Sequence, residues 1–189
     1  MAGAKGEATR ARLLASAEAL FAAQGYHGTT VSQIVADAGV TQASFYLYFP
    51  GKEKLMNELL QRFENRLRQL SNAGEEAGRQ PEGKLEAFAA HAMTAMFRLL
   101  GENLNLTRIA LQGAAGERIR LELVLEVAGN IRLNQSRGVV SPEIEPELAA
   151  ESLVAAVEYL AYRYLMNGER SVEELGNRAA RLFLRGILK

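Results

Sequence analysis

Apolar side chains recur at intervals of three and four residues over most of the chain, which is the spacing of one face of an α-helix. The first such stripe runs from about Thr9 to Gln24 and ends at Gly25. A second, short stripe follows Thr30, and Gln33 lies three residues after that threonine, as in a capping box. The pattern therefore predicts one long helix followed by a helix of only about eight residues.

A third helix has its own start signal. Gly39 is placed to end the second helix, and Thr41 can cap a helix from Gln42 to about Tyr48. Two short helices with a glycine turn between them form a helix-turn-helix candidate.

Beyond Pro50 the same spacing predicts a helical body. A long helix is expected from near Lys52 to about Ala73, then a linker over 74–81, and after it helices over Leu85–Leu100, Leu104–Gln112, Pro146–Asn167 and Ser171–Leu188. The sequence predicts an all-α fold of about nine helices.

One segment of the body, Arg118–Val127, fits either a strand or a helix. A lone strand would have no pairing partner in this chain, so we interpret the segment as a helix. Arg118, Glu122, Glu126 and Asn130 then form one polar row, and Arg120 lies off it.

Composition excludes several classes of protein. The chain has 189 residues, 48% of them hydrophobic, and no cysteine, which excludes disulfides, thiolate metal sites and thiol catalysis. No signal peptide or membrane span is indicated, so we expect a cytoplasmic protein. Neither His27 nor His91 has a glutamate three residues before it, and no zinc ligand cluster or phosphate loop is present. We expect no enzyme, no metal and no cofactor.

The charges balance, with 22 Lys and Arg against 22 Asp and Glu. Zero net charge at first argues against a nucleic-acid-binding protein. Residues 1–72, however, hold eight Lys and Arg and six Asp and Glu, whereas residues 73–189 hold 14 and 16. Contacts of the first part with DNA would come less from charged side chains than from threonine, tyrosine and main-chain groups.

The third predicted helix has a face suited to reading base edges. Phe45 and Phe49 lie four residues apart and are expected to face inward with Val40. Gln42 can pair with adenine through two hydrogen bonds, and Ala43 can contact a thymine methyl group. Ser44 can donate or accept, and phosphate contacts are expected from Thr30, Ser32, Thr41, Tyr46, Tyr48 and Lys52. Alternatively, Tyr46 and Tyr48 are half-buried core aromatics.

The stretch from Gly28 to Leu55, GTTVSQIVADAGVTQASFYLYFPGKEKL, resembles the DNA-binding region of the tetracycline-repressor (TetR) family of bacterial transcription regulators. The shared features include the double threonine, the Ala38-Gly39-Val40 turn and the Tyr48-Phe49-Pro50 exit. The match covers about residues 7–67, with the motif itself at 30–49. The resemblance implies a DNA-binding domain over 1–51 and a ligand-binding, dimerising body over 52–189.

The resemblance also implies DNA contacts position by position. They fall on Thr30, Val31 or Ser32, Thr41, Gln42, Ala43, Ser44, Tyr46, Leu47, Tyr48 and Lys52. Val31 and Leu47 depart from the family pattern, since both positions are often polar or aromatic. Leu47 either loses one contact or exchanges it for an apolar contact with the DNA.

The body contains apolar residues with a few polar ones among them, a composition that suits a pocket for a hydrophobic or amphipathic small molecule. The candidate pocket residues are Phe88, Met93, Met96, Phe97, Leu104, Arg108, Gln112, Leu123 and Asn130. The alternative is that the methionines simply fill the core. His91 is expected on the opposite, solvated face.

The helix over 148–166 is apolar on most sides, which indicates burial on two sides. It is either the interior helix of a monomer or part of a two-fold dimer, and we expect the dimer. The predicted interface residues are Leu153, Ala156, Val157, Leu160, Tyr164, Ala179, Leu182, Phe183 and Gly186.

The sequence therefore predicts a transcriptional regulator, a repressor that leaves a palindromic operator when a small effector binds its body. The long helix beginning at Lys52 would transmit the change, because it joins the body to the third helix. Two alternatives stay open. One is a TetR-like regulator that senses no small molecule, and the other is a helical enzyme or interaction protein that does not bind DNA.

Overall fold

The computed structural model describes residues 4–81, 83–165 and 167–187. Within these ranges it contains ten α-helices and no β-strand: α1 (Ala4–Gly28), α2 (Val31–Asp37), α3 (Gln42–Tyr48), α4 (Lys52–Ser71), α5 (Ala73–Ala77), α6 (Leu85–Glu102), α7 (Leu104–Leu111), α8 (Gly113–Ser136), α9 (Pro146–Leu160) and α10 (Val172–Ile187). A π-helical turn, Ala161–Leu165, continues α9. The all-α prediction is confirmed. No helix of the described ranges is long and apolar enough to cross a bilayer.

The chain forms two compact units. The first contains the residues up to Glu64 together with Asn103–Ala110, and the second contains Asn65–Glu102 and the residues from Leu111 onward. The boundary expected between residues 51 and 52 lies inside the first unit, because α4 contributes buried Leu55 and Leu59 to it. Helix α4 thus supplies residues to both units.

Hydrogen bonds and an ion pair hold the first unit together. Glu58 of α4 pairs with Arg10 of α1. Asn103 donates its side-chain amide to the carbonyl of Glu18, with 3.0 Å between nitrogen and oxygen. This bond explains why a short segment from the middle of the chain belongs to the same unit as α1.

In the second unit α6 packs along α10, and α8 packs along α9. Gly176 of α10 lies against the backbone of α6, where a Cβ atom would be only 2.6 Å from the Cα of Thr94. Arg98 and Arg181 form ion pairs between these two helices, with Glu173 and Glu86 respectively, both at 2.9 Å. The two helices are therefore in close contact along their length.

The segment 74–81, predicted as a linker, contains part of helix α5. Asn134 of α8 donates to the carbonyl of Gly74 at 2.8 Å, and Arg137 donates to the carbonyl of Glu75 at 2.9 Å. These contacts with α8 supply the stability that so short a helix lacks by itself. The last helix, predicted to begin at Ser171, begins at Val172 in the structure. Its predicted end, Leu188, lies outside the described residues, and so does Met166 in the preceding predicted helix.

Candidate nucleic-acid interface and body cavity

Both short helices of the helix-turn-helix candidate begin with a side-chain cap. The main-chain N–H of Gln33 donates to the hydroxyl of Thr30 at 3.2 Å, and the Gln33 side chain accepts from the N–H of Thr30 at 2.8 Å. At α3 the N–H of Ser44 donates to the hydroxyl of Thr41 at 3.1 Å. The predicted capping box and the predicted start of α3 are confirmed.

The turn between α2 and α3 depends on Gly39, whose φ angle of 62° lies in the left-handed region. Glycine adopts this conformation without the steric penalty that a Cβ atom brings. Phe45 and Phe49 are almost completely buried and contact each other, with ring centroids 5.8 Å apart. Val40, predicted to face inward, is half-buried. The buried pair fixes which side of α3 faces outward.

The outward side of α3 carries no charge. Gln42, Ala43, Tyr46 and Leu47 are exposed, and Leu47 has 81% of its surface open to solvent. Tyr46 is 53% exposed and Tyr48 is half-buried, so the alternative of half-buried core aromatics fits Tyr48 and not Tyr46. The outward side combines one amide, one phenol and two apolar side chains.

The hydroxyl groups around α3 are partly engaged within the protein. Ser44 is half-buried, and its hydroxyl lies 2.9 Å from that of Thr41. Thr30 and Ser32 are exposed at the start of α2, whereas Val31 is half-buried. The expected phosphate contacts of the threonines would therefore add to existing capping bonds.

Lys52, expected to contact phosphate, is bonded to the protein main chain. Its ammonium group donates to the carbonyls of Tyr26 and Thr29 at 2.7 and 2.6 Å, and it lies 4.2 Å from the centre of the Tyr26 ring. Both carbonyls follow the kink at Gly25, whose φ angle of 77° interrupts the helical conformation near the end of α1. In this arrangement the side chain joins the end of α1 to the start of α4, a role that spacing along the sequence did not reveal.

The second unit contains a partly open cavity of about 230 Å³, lined mainly by residues of α4, α5, α6, α8, α9 and α10. Five of the nine predicted pocket residues are in its wall: Phe88, Met93, Met96, Leu123 and Asn130. Four are not. Phe97 is fully buried elsewhere, Leu104 and Arg108 belong to the first unit, and Gln112 is exposed just before α8. His91 is exposed, as expected.

Few polar side chains reach the cavity wall, and most of their polar atoms are bonded within the protein, whereas the side-chain oxygen of Asn134 is buried and accepts no hydrogen bond from the described residues. Arg120 donates through one nitrogen to the carbonyl of Leu111 at 2.8 Å and to Glu158 at 3.1 Å. Asn130 donates to the carbonyl of Ser71 at 3.1 Å. The sequence prediction missed the ion pair between Arg120 and Glu158, although the position of Arg120 outside the polar row of α8 was a signal for it.

The family model for bacterial regulatory proteins of the tetR family matches residues 13–59. Over its whole length the chain is similar to an uncharacterised HTH-type transcriptional regulator of Bacillus subtilis, YdgC. The two are 32% identical over 186 residues, which is 97% of this chain and 95% of YdgC. The chain belongs to the tetR family of bacterial regulatory proteins.

Solved structures of similar fold cover nearly all of this TetR-family chain. SmeT, the repressor of the Stenotrophomonas maltophilia multidrug efflux pump SmeDEF, is 20% identical, with a TM-score of 0.73 over 95% of this chain and 90% of SmeT. FadR of Bacillus subtilis, solved in complex with stearoyl-CoA, is 22% identical, with a TM-score of 0.70 over 94% and 98% of the two chains. The predicted fold and the predicted class, a transcriptional regulator of this family, are confirmed.

The predicted dimer interface of this TetR-family regulator includes residues that are buried within the single chain. Val157 and Ala179 are only 9% and 2% exposed, and Leu153 and Phe183 line the cavity. Val157 and Ala179 therefore lie in the core of the single chain, while Leu153 and Phe183 are half-buried at the cavity wall. Ala156, Leu160 and Tyr164 are half-buried, and Leu182 and Gly186 are exposed. The prediction omitted two apolar side chains that α9 exposes, Leu148 and Tyr159.

Proposed function

We propose that this regulator is a repressor that binds a two-fold symmetric operator and leaves it when a small, largely apolar molecule enters the cavity. The observation that carries the proposal is the outward side of α3, uncharged, exposed and held in place by capped helix ends and the buried Phe45 and Phe49. Such a helix can enter the major groove, which admits an α-helix. The proposed activity is binding, not catalysis, and its place is the cytoplasm, where the DNA lies.

The predicted DNA contacts divide into two kinds under this proposal. Gln42, Ala43, Tyr46 and Leu47 meet base edges, since they are exposed on α3. The remaining predicted contacts, Thr30, Ser32, Thr41, Ser44, Tyr48 and Lys52, fix the position of the helix on the backbone or hold the motif together. Lys52 belongs to the second of these roles because of its bonds with the end of α1.

We propose a homodimer as the DNA-binding form. A two-fold dimer presents two copies of α3 to half-sites spaced by one helical turn of DNA or a multiple of it. Exposed apolar side chains on α9 and α10, Leu148, Tyr159 and Leu182, would be covered by the second copy. Three half-buried members of the predicted interface lie on α9 and on the π-helical turn that continues it: Ala156, Leu160 and Tyr164.

The cavity supports an effector that is mostly apolar, because its wall is apolar apart from a few polar side chains, of which Arg120 and Asn130 are already bonded within the protein. The ligand of FadR, stearoyl-CoA, and the efflux pump controlled by SmeT are consistent with apolar effectors among proteins of this fold. Helix α4, which supplies residues to both units, is the element through which occupation of the cavity would act on DNA binding.

The first experiment is a gel-shift titration of the full-length protein against the region upstream of its own gene. We expect a complex that survives a large excess of unrelated duplex, because base contacts distinguish an operator from other DNA. Failure to form any sequence-selective complex, even at low salt, would contradict the proposal.

A second experiment tests whether α3 reads bases. Replacing Gln42 by Ala removes the one amide on the outward side of α3. We expect binding to the operator to weaken by about 1–3 kcal/mol and discrimination between adenine and other bases at one position to be lost. Unchanged discrimination would remove Gln42 from the set of base contacts.

A third experiment tests the cavity with the fluorescent probe 1-aminoanthracene, whose emission rises in apolar surroundings. Ala92 lines the cavity on α6, and Ala87 is exposed on the same helix. We expect A92F to fill the cavity and abolish the rise in emission, and A87F to behave as wild type. Equal binding by both variants would place the probe elsewhere, and no binding by the wild type would favour a regulator that senses no apolar molecule.

A further inference from the structure

We propose that Leu47, with Ala43, recognises thymine through its 5-methyl group, so that α3 selects A·T base pairs in each operator half-site. This inference rests on the DNA binding proposed above and adds the class of base sequence that the protein prefers.

The exposed surface of the first unit points to this role. In its described part, the large hydrophobic side chains that are exposed are Tyr46 and Leu47, which are neighbours on α3. The other large exposed hydrophobic residues, Leu121, Leu125, Leu148, Tyr159 and Leu182, all belong to the second unit. Leu47 is the most exposed of all of them, at 81%. The first unit therefore concentrates its exposed apolar surface on the helix that faces DNA.

The chemistry of the major groove gives this surface one apolar partner among the base edges. Guanine is contacted mainly by arginine or lysine, and α3 contains neither. Adenine is contacted by glutamine, which α3 supplies as Gln42. The thymine methyl is the apolar group that the major groove presents, and apolar side chains contact it. The residue types on α3 thus match both bases of an A·T pair.

The geometry allows two thymines to be contacted together. Ala43 and Leu47 are four residues apart, so their Cβ atoms lie about 5–6 Å apart on one side of the helix. Successive bases of one strand are about 3.4 Å apart along the DNA axis. The two side chains can therefore reach neighbouring or next-but-one base pairs.

The hydroxyl groups of the motif do not offer the same selectivity. Ser44 is half-buried, and its hydroxyl lies 2.9 Å from that of Thr41, which already accepts from the N–H of Ser44. Serine and threonine also pair with several bases, which makes them weak discriminators. Selectivity for particular base pairs therefore depends on Gln42 and on the two apolar side chains, Ala43 and Leu47.

The test uses full-length protein and a duplex that it selects from a randomised library. Each thymine of that duplex is then replaced singly by deoxyuridine, which differs only in lacking the methyl group. At one or two thymines in each half-site we expect binding to weaken about fourfold, the effect of exposing one methyl-sized group. We expect L47A to bind the parent duplex more weakly and to lose sensitivity to uracil at the same thymine.

Matched variants separate this effect from general damage. Leu121 is 61% exposed on α8, so L121A should keep the uracil sensitivity of the wild type. L47M retains an apolar side chain at this position and should keep most of the uracil sensitivity. Because Leu47 is exposed, L47A should unfold at the wild-type temperature.

Two results would overturn the proposal while leaving DNA binding intact. One is a selective complex whose affinity is unchanged by uracil at every thymine. The other is an identical uracil sensitivity in L47A and wild type, which would assign the methyl contact to another residue. Failure to select any sequence would overturn the proposed DNA binding and this inference with it.

Discussion

The ammonium group of Lys52 has three N–H donors, and two of them bond to the carbonyls of Tyr26 and Thr29. The positive charge also lies above the ring of Tyr26. Moving this group to a DNA phosphate would break both bonds. We therefore expect this side chain to contribute to DNA binding chiefly by keeping α1 and α4 in place.

We therefore predict that K52M lowers the free energy of unfolding by about 1.5–3 kcal/mol, the range for hydrogen bonds to charged groups. The slope of log affinity against log salt should stay unchanged, since no phosphate contact is lost. Chemical denaturation and salt titration of DNA binding measure the two quantities. Lys54 is exposed on the same helix, so K54M is the control for loss of charge and should leave stability unchanged. A slope reduced by about one in K52M, with unchanged stability, would instead indicate a phosphate contact.

Glu122 is a second side chain whose interactions affect the stability of the protein. Hydrogen bonds from Arg118 and Arg68, at 2.8 and 2.5 Å, lower the pKa of its carboxyl group. Because the pKa is lower in the folded state, the ionised form contributes stability above the unfolded-state pKa of about 4.3. That contribution is lost as the pH falls through the lowered folded-state pKa.

We predict that E122Q is less stable than wild type at pH 7 and that the difference shrinks in acid, below about pH 4.3. The effect is small because Glu122 is partly exposed. Thermal unfolding at a series of pH values measures it. E151Q, at an exposed position of α9, serves as the control. A difference that is constant over the whole pH range would contradict an ion-pair origin.

At the scale of whole helices, α6 and α10 approach each other closely at Gly176. A methyl group there would collide with the backbone of α6 at Thr94, which cannot move aside as a flexible side chain can. The two helices must separate to accept any larger residue. Since both helices also line the cavity, the separation would change the cavity wall.

We predict that G176A destabilises the protein by about 1–3 kcal/mol, as overpacking does in other cores. Gly129 on α8 has open space around its Cα, so G129A should be neutral or slightly stabilising through its better helix propensity. Denaturant unfolding of the two variants gives the comparison. Equal stability of both would show that α6 and α10 can move apart at no cost.

Helices were predictable from sequence where local groups set their ends. Thr30 and Thr41 cap α2 and α3 by bonds to residues three positions away, which the sequence displays directly. Helix α5 was missed because its stability comes from Asn134 and Arg137, some sixty positions along the chain. In the same way, the inward side of α9 could not be chosen from sequence, because α9 is apolar on most of its surface and periodicity does not say which side faces its own chain.

At the scale of the whole molecule, ion pairs reduce the positive charge that is available for DNA phosphates. In the first part of the chain Arg10 and Arg62 are paired with Glu58, and Arg68 is paired with Glu122. Neutralised arginines add little to phosphate attraction. We then expect threonine, tyrosine and main-chain N–H groups to be the main phosphate partners, which would release fewer counterions.

We accordingly predict a shallow dependence of operator affinity on salt, below about eight released ions per dimer. Binding measured between 50 and 200 mM salt, a range over which proteins with many phosphate contacts lose about 10³–10⁵ in affinity, checks the prediction. E58Q frees Arg10 and Arg62 from their partner and should make the slope steeper. A wild-type slope equivalent to eight or more ions would contradict the assignment of phosphate contacts to uncharged groups.

The apolar character of the cavity wall was easier to predict from sequence than the identity of the residues that line it. Phe88, Met93 and Met96 are on the wall because one stripe of α6 faces the interior, and a stripe can be recognised in sequence. Leu104 and Arg108 lie outside the wall of this cavity because their segment of α7 belongs with α1 in the first unit. That assignment depends on Asn103 and its bond to the carbonyl of Glu18, a contact across 85 positions that no local pattern displays.

The π-helical turn Ala161–Leu165 bears on how the length of this chain can vary. A π-helical turn contains one residue more than an α-helical turn, because its hydrogen bonds run to the fifth residue and not the fourth. Removal of one residue here would convert the turn to α-helix and leave the residues on either side of it in nearly the same orientation. Single-residue insertions and deletions are therefore best tolerated at this point of the C-terminal part, because the turn absorbs the change in length.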